Sequence, residues 1–231
     1  MILYAIPTPL GGAPHDALPA SVLGRMRELK DFVVENAKSA RAFLGAAGVN
    51  PREVRIAELN EHTPPADVPR LLQPLREGRP LGLLSEAGCP AIADPGAALV
   101  EAAHAAGFRV VPLVGPSSIT LALMASGLEG QRFAFCGYLP RDASERARRI
   151  KELEQRSRRE HETEIFIETP YRNDALLGAL IDGCAPGTRL CVAADLTLPT
   201  ESIRTQAIAD WRRSRPNLGK RPAVFLLLAR T

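Results

Sequence analysis

Three groups of residues have types and spacings that could do chemistry. Glu86, Cys89 and Asp94 fall within Ser85-Glu86-Ala87-Gly88-Cys89-Pro90-Ala91-Ile92-Ala93-Asp94-Pro95-Gly96, a stretch dominated by small side chains. Ala87, Gly88 and Ala91 leave main-chain N–H and C=O groups open to a ligand. Glu86 could serve as an acid or a base; a solvated loop carboxylate is the plain alternative. Cys89 lies near a helix start that lowers a thiol pKa, but no histidine partner is indicated, so a structural or backbone contact is favoured over covalent catalysis. Asp94 can cap the helix that follows, with Pro95 suited to its first position. The second group is Gly115-Pro116-Ser117-Ser118, where Ser117 or Ser118 is placed to cap another helix. The third is Phe166-Ile167-Glu168-Thr169-Pro170-Tyr171-Arg172-Asn173, in which Glu168 and Arg172 read as orienting residues or as an incidental surface ion pair.

Other chemistries are disfavoured. No GxxxxGK[ST] occurs, and Pro7-Thr8-Pro9-Leu10-Gly11-Gly12 stands where a GxGxxG would follow the first strand. Cys89, Cys136, Cys184 and Cys191 form no CxxC pair, and the four histidines are far apart in sequence, so neither a zinc site nor a disulfide framework is expected.

The elements that must position these residues are legible as alternation. Apolar runs at Ile2–Ile6, Phe32–Glu35, Val54–Leu59, Leu81–Ser85 and Arg109–Val114 read as strands. Between them, Ser21–Leu29, Ala37–Ala47, Val68–Glu77 and Ala97–Ala106 read as helices, with Gly48 and Gly107 as C-caps. This pattern predicts a parallel sheet covered on both faces. The first two loops should lie at the carboxyl ends of neighbouring strands and form a ligand crevice. Beyond Gly115 the pattern changes to helices at Ser118–Ser126, Asp142–Arg159 and Asn173–Ile181 and extended runs at Arg132–Gly137, Glu162–Glu168, Arg189–Asp195, Ser202–Ala207 and Ala223–Ala229. A mixed sheet is expected there. The boundary near Gly115 predicts an N-terminal α/β domain over 1–115 and a C-terminal one over 116–231, with the cleft between them as the default ligand site.

At 231 residues and 45% hydrophobic content the chain can build real cores. Its charge is uneven: residues 1–140 carry 12 basic and 13 acidic side chains, and 141–231 carry 17 and 13. Arg141–Glu160 and Glu201–Arg221 are basic, as a solvated helix face with i,i+4 pairs or as a polyanion surface. With no signal peptide and no membrane-spanning run, the reading is a reduced, soluble, cytoplasmic protein with no membrane partner.

Taken in order, Leu3-Tyr4-Ala5-Ile6-Pro7-Thr8-Pro9, Ser85 to Gly96, Val110-Val111-Pro112-Leu113-Val114-Gly115-Pro116-Ser117, Gly137-Tyr138-Leu139-Pro140 and Glu168-Thr169-Pro170-Tyr171-Arg172 resemble the tetrapyrrole (corrin/porphyrin) methylase family, nearest its ribosomal RNA 2′-O-ribose branch. The resemblance implies two α/β domains, S-adenosylmethionine held between them, and a homodimer. Carried over by position, it places the cofactor against Pro7, Glu86, Ala87, Gly88, Cys89, Ile92 and Asp94, and against Ser117, Ser118, Glu168, Leu196, Pro222 and Ala223. The chain departs from that branch on the substrate side. Glu35-Asn36-Ala37-Lys38-Ser39-Ala40-Arg41 replaces an acidic-Asp-Thr-Arg stretch, Glu86-Ala87-Gly88-Cys89-Pro90 replaces Asp-Ala-Gly-Thr-Pro, and Leu196-Thr197-Leu198 replaces Leu-Thr-Lys. The sequence also ends at Thr231, short of the further C-terminal region of the ribosomal enzymes.

The reading is a methyltransferase acting on RNA ribose, with methylation of a tetrapyrrole or other small molecule, or cofactor binding without catalysis, as alternatives. A ribose hydroxyl needs a base or a stabilised alkoxide, for which Glu35 and Glu86 are the candidates, with Arg172 as an orienting group. An RNA partner in the form of the small ribosomal subunit is implied. Only eleven aromatic residues (seven Phe, three Tyr, one Trp) argue against a broad base-stacking platform.

Overall fold

The computed structural model describes residues 1–229, which form two compact units divided between Ser117 and Ser118. In the first unit, β1 (Ile2–Ile6), β2 (Asp31–Val34), β3 (Arg55–Glu58), β4 (Leu81–Leu84) and β5 (Arg109–Pro112) pair in parallel in the order β3-β2-β4-β1-β5. Strand alternation divides the core cleanly. Tyr4, Ile6, Phe32, Val34 and Leu84 face α2 (Ala20–Glu28) and α3 (Ala37–Ala46), while Leu3, Val33, Leu81 and Leu83 pack with Leu99 and Ala103 of α5 (Gly96–Ala105). Gly48 and Gly107 take left-handed φ values of 82° and 74°, and the residues beside them return N–H groups to the last helical turns. They are the expected C-caps.

Two local expectations fail for identifiable reasons. The single helix expected over Val68–Glu77 is a 3-10 segment, Pro65–Leu72, followed by the short α4 (Gln73–Arg76), because Pro69 and Pro74 lack the N–H groups that a continuous helix needs. A short α1 (Pro14–Ala17) also precedes α2, built on a proline at its first position.

The second unit contains α6 (Ser118–Ser126), β6 (Phe133–Tyr138), α7 (Ala143–Glu160), β7 (Thr163–Ile167), α8 (Asn173–Gly183), β8 (Arg189–Ala194), β9 (Ser202–Ala207), α9 (Ile208–Arg213) and β10 (Ala223–Leu228). Its sheet runs β6-β7-β10-β8-β9, parallel only between β6 and β7, so it is mixed as expected. Asp142 starts α7 by accepting from Ser144 N–H and Glu145 N–H at 2.9 Å each. The unforeseen α9 buries Trp211, whose Nε1–H donates to Leu190 O at 3.0 Å beneath the Arg204 guanidinium. All four cysteines are free, and among the described residues no helix is long and apolar enough to cross a membrane.

At the first sheet's centre Gly82 leaves no room for a side chain: a Cβ there would lie 2.7 Å from Phe32 Cδ1 and 3.1 Å from Ile6 Cδ1. Gly82→Ala should therefore lower unfolding stability by about 1–3 kcal/mol through overpacking, read as a reduced urea midpoint at unchanged m.

Candidate functional site

The two small-residue loops do not follow neighbouring strands, because β1 lies between β4 and β5. That correction brings a third loop into the site. Thr8, just past β1, exchanges two backbone hydrogen bonds with Gly88 (2.9 and 3.1 Å), and Ser85 Oγ donates to Gly88 O at 2.8 Å. Gly88 has φ 78°, which glycine adopts without strain. On the other side, a Cβ at Gly115 would stand 2.3 Å from Pro7 Cβ, so only glycine lets the loop after β5 lie against the buried Pro7. Cys89 closes the set, with its Sγ 3.4 Å from Pro116 O.

Cys89 is therefore a packing and hydrogen-bonding group. Burial pushes its thiol pKa up, opposite to the shift that a nucleophile near a helix start requires. Asp94 sits one residue earlier than a conventional cap. Pro95 occupies the N-cap position of α5, while Asp94 Oδ1 accepts from both Ala91 N–H and Gly96 N–H at 2.8 Å. This carboxylate cinches a turn in which Ala91 and Ala93 adopt left-handed φ values of 66° and 60°. Burial raises the Asp94 pKa against the lowering effect of those two N–H groups. Ala87 and Ile92 are exposed on the same loop.

Beside the loop, a cavity of about 290 Å³ opens at the carboxyl ends of β1, β2 and β4. It is lined by Thr8, Pro9, Gly12, Glu35, Ser39, Phe43 and Glu86 among others. Glu35 is half-buried there, and its pKa is raised, first by burial and then by the negative charges of Glu86, Asp94 and Glu61. Ser39 Oγ donates to Glu86 Oε1 at 2.6 Å and fixes that exposed side chain over the opening. Asn36 caps α3 by accepting from Lys38 N–H and Ser39 N–H, which delivers Ser39 to the cavity. Sequence reasoning picked out Glu35 and Glu86 and overlooked Ser39, although its place one turn into a capped helix after β2 was readable.

The remaining candidates in the second unit converge on one edge of its sheet. Val224 pairs with Ile167, and Ala223 with Ala194, so Glu168, Leu196 and Pro222-Ala223 follow adjacent strand ends. Leu196 is buried between Asp195 and Thr197, both left-handed (φ 53° and 72°). Arg221 Nε donates to Asp195 Oδ2 at 2.6 Å and Asp195 N–H to Pro222 O at 3.0 Å, which holds that turn. The buried Glu168 takes Thr169 N–H on Oε1 at 2.7 Å. Its Oε2 lies 3.0 Å from Arg172 Nη2, a charge contact without hydrogen-bond alignment, so Oε2 lacks a donor. Asn173 Oδ1, fully buried alongside, also lacks one. Buried acceptors rarely stay unmatched, so this edge has unused capacity for a ligand's donors. Ser118 opens α6, with Ser117 immediately before it.

Both units are shared with methyltransferases of known structure. The chain is similar to the methyltransferase CobJ (22% identity, TM-score 0.66, covering 99% of this chain and 93% of that one) and to uroporphyrin-III-C-methyltransferase from Thermus thermophilus (21%, 0.56, 98% and 94%). At these identities the likeness establishes the fold, a two-unit methylase architecture. In sequence, residues 22–211 match the family of Tetrapyrrole (Corrin/Porphyrin) Methylases. The chain is 32% identical to the ribosomal RNA small subunit methyltransferase I of Pseudomonas aeruginosa over 97% of its own length and 78% of that protein's. It is 33% identical to the protein of the same name in Mesorhizobium japonicum, over 90% and 69%. The chain belongs to the tetrapyrrole methylase family and is a methyltransferase.

Substitutions at two residues test these local assignments. Asp94→Ala should cost about 1–2 kcal/mol in chemical denaturation because two N–H groups lose their acceptor, and Asp94→Asn, which keeps an acceptor, should cost less. Arg172→Ala removes the charge facing the buried Glu168, so methyl-transfer activity should fall at least severalfold, and Arg172→Lys, which keeps that charge, should fall less; activity of Arg172→Ala equal to the parent would reduce Arg172 to a surface charge.

Proposed function

We propose that this methyltransferase moves a methyl group from S-adenosylmethionine to a ribose 2′-hydroxyl of small-subunit ribosomal RNA. The observation that carries the choice of acceptor is the identity of 32–33% with ribosomal RNA methyltransferases along nearly the whole chain, against 21–22% with CobJ and uroporphyrin-III-C-methyltransferase. The presence of Glu35 in a cavity supports it, since an alcohol must lose a proton during transfer whereas many carbon acceptors need no such base.

The residues fit the donor. The left-handed Gly88 leaves its loop's main chain without a side chain in the way, the unmatched Glu168 Oε2 and Asn173 Oδ1 can take N–H or O–H groups, and carboxylates suit a cation. Pro7, Ala87, Cys89, Ile92, Asp94, Ser117, Ser118, Leu196, Pro222 and Ala223 complete the proposed contacts. When bound, S-adenosylmethionine supplies a methyl group on a sulfonium that becomes a neutral thioether once the C–S bond pair returns to sulfur. Glu35 accepts the hydroxyl proton as the ribose oxygen bonds to the methyl carbon. Its raised pKa makes it a stronger base than a solvated glutamate, and Glu86, fixed by Ser39, maintains that shift. Arg172 holds Glu168, and the protein's remaining work is to align the reactants and exclude water. The enzyme is read as a cytoplasmic homodimer, for which the exposed Met124 and Phe133 supply apolar surface.

The decisive experiment is a methyl-transfer assay over unmethylated small ribosomal subunits and over tetrapyrroles. Label in subunit ribose is expected, with turnover falling steeply as salt rises. Salt-insensitive transfer to a tetrapyrrole alone would overturn the RNA reading and leave the methyltransferase; donor binding without any transfer would indicate a binding protein. Turnover should also rise with pH through the elevated Glu35 pKa. Glu35→Gln should lower kcat about a hundredfold or more. A raised carboxylate pKa means that the native state binds more protons than the unfolded chain, so folding stability falls as pH rises through that range. Glu35→Gln should therefore raise Tm relative to the parent at pH 8 while activity drops.

A further inference from the structure

Resting on the RNA reading above, we propose that Tyr138 and Tyr171, with Lys220 and Arg141, form a small docking patch where the enzyme stacks unpaired nucleobases of its RNA substrate. The chain has three tyrosines. Tyr4 is buried in the first core, whereas Tyr171 is 78% exposed and Tyr138 is 57% exposed. The two exposed ones share a sheet edge: Tyr138 ends β6 in register with Ile167, and Tyr171 lies in the Pro170–Arg172 turn that follows β7. This is the edge that carries Glu168, Leu196 and Pro222-Ala223. Neither tyrosine hydroxyl has a hydrogen-bond partner among the described residues, so fold stability does not explain these positions.

The cations nearby are of two kinds. Arg172 and Arg221 are committed to Glu168 and Asp195. Lys220 is in no ion pair among the described residues; its Nζ lies 5.1 Å from the centre of the Tyr171 ring. Arg141, three residues past Tyr138, is exposed and its guanidinium has no partner among the described residues. An exposed ring with an adjacent ammonium offers a nucleotide both a stacking face and a phosphate contact, the pairing used by proteins that hold splayed-out RNA. Two rings are too few for a broad platform and enough for one or two bases of a loop.

The test measures KM for unmethylated small subunits, with donor affinity followed separately by isothermal titration. Tyr171→Leu and Tyr138→Leu should each raise KM for the subunit about tenfold, the scale of one lost stacking contact. Tyr171→Phe, which keeps the ring, should match the parent, and donor affinity should stay at the parental value in every variant. Lys220→Gln should reduce the slope of log KM against log salt by about one. Parental KM in both leucine variants would overturn the patch while leaving the RNA reading intact, since the parent enzyme would still methylate subunits. Tyr171→Phe as impaired as Tyr171→Leu would exclude stacking. A change of mass in solution with unchanged KM would instead assign the tyrosines to contact between copies of the chain. If the parent enzyme itself transfers no methyl to subunits, the RNA reading fails and the patch falls with it.

Discussion

The arrangement of the first unit depends on β1 running between β4 and β5 with no room to spare at its carboxyl end. Three loops leave adjacent strands there, and each is tied to the one that follows β1: Gly88 by paired backbone hydrogen bonds to Thr8, and Gly115 by direct contact with Pro7. A hydrogen-bonded bridge fixes the distance of one loop, and steric exclusion fixes the other. Neither involves a charged or flexible side chain, so small residues here mark a rigid surface assembled from backbone. A ligand bound against that surface meets preset N–H and C=O groups, which reduces the ordering required on binding.

The second unit reaches the same end by different means. Its strand ends carry a buried carboxylate facing Arg172, and a left-handed turn at Asp195 and Thr197 held by Arg221. Strained residues and half-satisfied acceptors persist only where surrounding structure over-determines them, and here the Asn173 amide, donating to Arg221 O at 2.7 Å, ties α8 to the segment entering β10. The edge is thus stiff while it keeps unmatched acceptors. That combination suits ligand binding better than it suits stability.

Most of the fold was legible because its signals are local. Apolar runs bounded by Gly48, Gly107 and Asn36 give strands and capped helices within a residue or two. What stayed hidden depends on order in space. Nothing in the runs at Leu81 and Arg109 says that β1 separates them, so the role of Thr8 could not be seen. The 3-10 segment over Pro65–Leu72 is hidden because its apolar spacing suits an α-helix equally well, and α9 because it is only six residues long. Candidate residues with a charged side chain in the cavity, such as Glu35 and Glu86, were within reach. Ser39 contributes by holding another side chain, and that leaves little trace in sequence.

Charge adds a constraint on how a polyanion can be handled. The cavity after β1, β2 and β4 is lined by carboxylates and has Glu61 and Asp94 near enough to raise the Glu35 pKa, so it favours a cation and repels phosphate. Under the proposed function, an RNA backbone would have to be held elsewhere. The basic stretch on α7 is less available than its composition suggests: Arg148 and Arg149 pair with Glu152, and Arg156 is engaged by Glu162 and Glu164. In the later basic stretch, Arg213 and Arg221 are likewise paired with Asp210 and Asp195. Pairing keeps these arginines charged but cancels much of their field beyond a Debye length. Long-range attraction therefore falls to cations without acidic partners among the described residues, including Arg141, Lys151 and Lys220. With a net charge of only +3, any guidance of a polyanion rests on the placement of a few cations rather than on bulk excess.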